Sequence, residues 1–187
     1  MPGESPRDAF AAFVAPLARA VSCLGSAKIT TSPGGRDRPG MTHSWSLNGE
    51  RGLGCKGGYH LEAQMHYEIV RDGTPSRGPW RISTRAYRYR VAVAGTDVFR
   101  IHWHPWGESP YRDPHIHANF VVPGNAATTL DGHFPTGRLT FEDAIEWAVG
   151  IGVSPVRSDW REVLAEAKAV HVAHRSWSAT PPAFRGT

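Results

Sequence analysis

Cysteine is nearly missing from this chain of 187 residues, with Cys23 and Cys55 as its only two. They lie far apart and in no redox or metal-ligand spacing, which argues against a disulfide-stapled secreted scaffold. Long hydrophobic runs are missing as well, and no stretch reaches the length of a membrane span. Near the start, Phe10, Phe13, Val14, Leu17, Val21 and Leu24 recur at helical spacing, while Pro16 and Arg19 interrupt the apolar run. That is the pattern of an amphipathic helix packed on a core, not of an export signal. These absences together point to a cytoplasmic protein with no membrane partner. A strong charge imbalance is also missing. Lys and Arg total 21 against 17 Asp and Glu, a net charge of +4, which leaves a nucleic-acid partner open without requiring one. A phosphate-cradling glycine loop is absent too, because Gly57-Gly58 leads into a strand and not into a helix.

What is present is histidine, and it is concentrated. Four of the ten fall between positions 102 and 117. Side chains alternate across a strand, so Phe99, Ile101 and Trp103 share one face while Arg100, His102 and His104 share the other. In the following strand Ile116, Ala118, Phe120 and Val122 oppose His115, His117 and Asn119. A loop from Pro105 to Pro114 would set His104 opposite His115, His102 opposite His117 and Arg100 opposite Asn119. Directly opposed side chains stand about 5 Å apart on one face.

The rest of the chain reads as one α+β domain, residues 1–187. A helix over 6–24 precedes Gly- and Pro-rich loops over 32–58, with a short edge strand conceivable at 43–47. Residues 59–122 carry the period-two pattern of a four- to five-stranded antiparallel meander. Its first strand offers Glu62, Gln64, His66 and Glu68 to the polar face. Its second, Trp80 to Ala94, offers Arg88 and Arg90. A two-residue turn to the third strand would bury those two arginines, so a three-residue loop is expected, pairing Arg90 with His102 and Arg88 with His104. Pro123 to Leu139 reads as a long loop holding His133 and Arg138. Thr140-Phe-Glu-Asp143 reads as a capping box, opening C-terminal helices over 140–176, and 179–187 as a loose tail. The helices cover the apolar sheet face and leave the His/Arg face open.

Three uses of that face are open. The first is metal-free cleavage of a phosphodiester: His102, His104, His115 and His117 as proton donors and acceptors, with Arg88, Arg90, Arg100, Arg138 and His133 holding phosphate and Asn119 orienting an imidazole. RNA suits it, because its 2′-hydroxyl supplies the nucleophile. Tyr111 and Arg112 would line the rim, and Trp106 could stack a base. The second is a metal site, in which the same four histidines and Glu108 hold one divalent zinc, iron, manganese or nickel ion. His102-Trp-His104 followed by Glu108 resembles half of a cupin motif, without its downstream glycine. Arginines beside a dication weigh against it. The third is non-catalytic recognition of an acidic partner. His43, His60 and His171 read as solvated surface residues.

The stretch from Tyr87 to Phe120, less than a quarter of the chain, resembles the TumE-type toxins of bacterial toxin–antitoxin pairs. The resemblance rests on Phe99-Arg100-Ile101-His102 and Pro114-His115-Ile116-His117. It implies an RNA-cleaving protein neutralised by an antitoxin partner.

Overall fold

The computed structural model describes residues 1–71, 78–106, 111–122 and 125–175, and for 118–122 and 125–132 the course of the backbone. In chain order the elements are β1 (Pro2–Gly3), α1 (Pro6–Val21), β2 (Ile29–Thr31), β3 (Thr42–Leu47), β4 (Leu53–Gly54), β5 (Tyr59–Arg71), β6 (Trp80–Val93), β7 (Thr96–Trp103), β8 (His115–Val122), β9 (Asn125–Pro135), α2 (Phe141–Gly150) and α3 (Trp160–His174). The strands form one antiparallel sheet ordered β2-β3-β5-β6-β7-β8-β9, with β1 against β6 and β4 against β5. The fold is α+β, and its sheet has nine strands rather than four or five.

Local chemistry explains the boundaries. Ser5 caps α1 and Thr140 caps α2, each in a capping box with an acid three residues on, Asp8 and Asp143. Alternation along β5 buries Leu61, Ala63, Met65, Tyr67 and Ile69. Tyr87, Tyr89 and Val91 continue that surface on β6, and Phe99, Ile101 and Trp103 on β7. Phe13 and Leu17 of α1, Phe141 and Ile145 of α2, and Leu164 of α3 close over it. No helix among the described residues is long and apolar enough to cross a membrane. Cys23 and Cys55 are both free, and burial raises both thiols above their ordinary range.

Two registers differ from expectation. The β6–β7 turn is the two-residue Ala94-Gly95, with φ of 48° and 82°, both positive as a type I′ hairpin turn requires. Arg88 and Arg90 nevertheless stay off the core, because a bulge between Val91 and Ala92 restores the face. Arg88 therefore lies opposite His102, and Arg90 opposite Arg100. Across β7–β8, His102 faces His115 and Arg100 faces His117, a shift of two residues that preserves the face and changes the neighbours.

The expected loop over 123–139 is also corrected. Most of it is β9, which pairs with β8 along its length and brings His133 opposite His117 and Asp131 opposite Asn119. The backbone of β8 thereby gains partners on its outer side, where a loop would have left a row of unpaired amides and carbonyls.

Candidate functional site

Strand geometry assembles five imidazoles on the face away from the helices. His102 comes from β7, His104 from the residue just after it, His115 and His117 from β8, and His133 from β9. Ring centroids of His102 lie 4.8 Å from His104, 4.3 Å from His115 and 4.5 Å from His117. His117 and His133 are closer still, at 3.8 Å. Within this group, two triads bring their donor nitrogens within 4.8 Å of one another: His102, His104 and His115, and His115, His117 and His133. His115 belongs to both.

His115 is also the best-defined member. It is only 3% exposed, and its Nδ1 lies 2.7 Å from the carbonyl oxygen of Asp113. A carbonyl can only accept, so Nδ1 carries the proton. The neutral ring then keeps a bare lone pair on Nε2. Burial first, then the Coulombic push of neighbouring imidazoles, lowers its proton affinity against the opposing pull of that hydrogen bond. His102 is pushed down to about 3, chiefly by burial and then by His115, His117, His104 and Arg100. Its Nε2 is buried with no hydrogen-bond partner. Unpaired buried polar atoms are costly, and in the tautomer protonated on Nδ1 this nitrogen would present a lone pair that a cation could satisfy.

The expected cationic cradle is different in detail. Arg90 is bonded to Asp97 and, at 2.6 Å, to Glu62, while Arg100 is bonded to the other oxygen of Asp97. Burial would raise the Asp97 carboxyl, but hydrogen bonds from Arg90 and Arg100 outweigh it and hold the acid below its ordinary range. Two of the three arginines are thus neutralised locally, and the third, Arg88, is exposed. Arg138 lies elsewhere. Its guanidinium sits 3.6 Å from the centroid of the Trp103 ring, and Trp103 faces the core, so Arg138 is on the opposite side of the sheet from the histidines. Glu108 and the side chain of Asn119 lie outside the described residues.

At the rim, Tyr111 is about half exposed and stacks on His133, with centroids 4.4 Å apart and planes 13° from parallel. Trp106 is exposed nearby in sequence. His43 and His171 are corrected from solvated residues to hydrogen-bonded ones, His43 buried and His171 mostly so. His43 is 2% exposed and donates from Nε2 to the Arg38 carbonyl at 2.7 Å. His171 donates from Nδ1 to the fully buried Glu142 at 2.5 Å. No protein-family model matches the chain, and comparison with curated proteins and with solved structures gives no match.

Proposed function

We propose that the histidine cluster holds one divalent transition metal ion and that the protein is a metal-dependent hydrolase of a phosphate-bearing substrate, RNA being the class its resemblance suggests. The observation that carries the reading is His115. A backbone carbonyl fixes Nδ1–H and leaves Nε2 as a lone pair among other imidazole nitrogens, the outer-shell arrangement that orients metal-ligating histidines. Tetrahedral zinc with ordinary Zn–N bonds separates its donors by about 3.4 Å, within reach of nitrogens lying inside 4.8 Å through small side-chain rotations. All-nitrogen donors suit zinc, copper, nickel or iron better than magnesium or calcium. The charge objection weakens as well, because Asp97 compensates Arg90 and Arg100 beside the cluster.

With three protein ligands, such an ion would keep a position for water and lower its pKa toward neutrality. Arg88, exposed and opposite His102, would meet an anionic group at the edge of the cluster, and Tyr111 offers a ring on which a base could stack. Burial and the neighbouring imidazoles lower the proton affinity of both His102 and His115, which suits metal ligands or bases better than acids.

The test is the metal content of the purified protein, measured by mass spectrometry beside a His102→Ala/His117→Ala double variant, followed by an RNA cleavage assay with and without EDTA. Near-stoichiometric metal that disappears in the variant, with cleavage sensitive to the chelator, supports the proposal. A metal-free protein that cleaves RNA in EDTA would return the acid–base reading in its place.

A further inference from the structure

On the helix side of the sheet lies a second concentration of polar groups that the histidine cluster does not use. A cavity of about 90 Å³, open to solvent, runs between the sheet and the helices. Its floor is aromatic. Tyr87 and Tyr89 stack with centroids 5.0 Å apart and planes 8° from parallel, and Phe141 lies 5.5 Å from Tyr89. Its charged lining among the described residues is of one sign, Arg81, Arg138 and Arg175, with His171 and His174 beside them and no carboxylate in the wall.

Three features of that lining ask for a ligand. Arg138 has no carboxylate partner among the described residues. Its flat face is taken by Trp103, which leaves the in-plane N–H donors for something else, and burial lowers its proton affinity with only Tyr87 opposing. The hydroxyl of Tyr89, a residue with no exposed surface, is buried without a hydrogen-bond partner. The Nε2 of His171 is buried without one as well, while its Nδ1–H is fixed by Glu142. Native interiors rarely leave several such atoms unsatisfied in one place unless water, an ion or a ligand completes them. Of the two acids behind the wall, Asp143 is engaged by Lys168 at 2.7 Å, while Glu142 holds His171 through one oxygen and keeps the other buried without a partner.

We propose that this cavity binds a small organic carboxylate with a compact apolar body. The carboxylate accepts from Arg138 and the Tyr89 hydroxyl, and the body lies against the aromatic floor. A planar guanidinium suits a carboxylate better than a point cation would. Apolar cavities on the order of 150 Å³ admit a benzene ring; this one, at about 90 Å³, is smaller, so a one-ring aromatic acid would seat its carboxylate and one ring edge inside and project the rest through the open mouth. The site lies across the sheet from the histidine cluster and does not depend on the metal reading.

Benzoate, with neutral benzamide as its partner probe, tests the assignment on the full chain by titration calorimetry. The expected result is saturable binding of one benzoate per chain, with benzamide at least about tenfold weaker. Arg138→Gln should weaken benzoate by about tenfold or more, and metal uptake should be unchanged. Because that substitution also removes the guanidinium stacked on Trp103, Tyr89→Phe serves as the shape-preserving variant. It should keep the folded near-UV dichroism and weaken benzoate severalfold. No saturable benzoate binding at millimolar concentration overturns the proposal. So does equal binding of benzamide, or benzoate affinity unmoved in a folded Tyr89→Phe.

Discussion

Arg90 and Arg100 stand directly opposite one another on β6 and β7, and one carboxylate, Asp97, is bonded to both. Like charges in that position oppose strand pairing, so the bridging acid keeps two guanidiniums on adjacent strands beside the histidine cluster.

Asp97→Asn should therefore destabilise the fold by about 1–3 kcal/mol, the range for leaving partly buried charged groups without their partner. Urea denaturation measures it, and added salt should recover part of the loss by screening the two half-buried arginines. An unchanged midpoint would show that Glu62 alone suffices to hold Arg90.

The shared ligand limits metal stoichiometry. His115 has one nitrogen committed to the Asp113 carbonyl and one free, so it can join only one of the two triads at a time. Titration with cobalt(II), followed by its visible absorption, should saturate at one equivalent. His115→Ala should remove tight binding, and His133→Ala should leave the His102–His104–His115 set able to bind. Two tight equivalents in the unaltered protein would contradict this.

Acid should unfold the metal-free protein through its histidines as well as its carboxylates. Above about pH 6.5 an imidazole is neutral in both folded and unfolded chains and contributes nothing to the pH dependence. Below it the unfolded chain takes up a proton that His102, held down to about 3, refuses. Stability therefore falls as pH drops through that window, and the lowered His115 adds to the slope in the same direction. Asp97, held below its ordinary range, contributes stability that is lost only at lower pH, as it finally protonates. Urea midpoints across the acid range should show the decline, and His102→Gln should flatten it.

At the β6–β7 turn, Ala94 adopts a φ of 48°, a region that costs a side chain bearing Cβ and that Asn tolerates better. Ala94→Asn, giving Asn-Gly, should raise stability by about 0.5–1 kcal/mol in thermal or urea unfolding. No gain would mean that the bulge at Val91/Ala92 dictates the turn irrespective of the residue in it.

The elements that repeat with a clear period were legible before any coordinates. The alternation along β5, the reach of β6 and the apolar and polar faces of β7 and β8 all follow from which residues a half-buried strand must hide. Register was harder. The expectation counted residues in loops, and a bulge that absorbs one residue on β7 lets a shorter turn reach the same face with different partners. β9 carried no such period, since Ala126, Ala127, Gly132 and the polar residues between them read as loop. Loops of seventeen residues are uncommon in compact domains, and here most of that length is the strand that brings His133 into the cluster. His43 and His171 looked solvated because neither the Arg38 carbonyl nor Glu142 is near them in any one-dimensional pattern. Nothing periodic in the sequence connects Arg138 to Trp103, so its place across the sheet from the histidines emerges only from the fold.

The histidines span three neighbouring strands, and the last of these, β9, ends the sheet. An ion held across β8 and β9 would act as a clasp on that border. Its binding energy would be shared with the zipping of an outer strand, so amide exchange in β9 would report occupancy even if nothing else in the molecule moved.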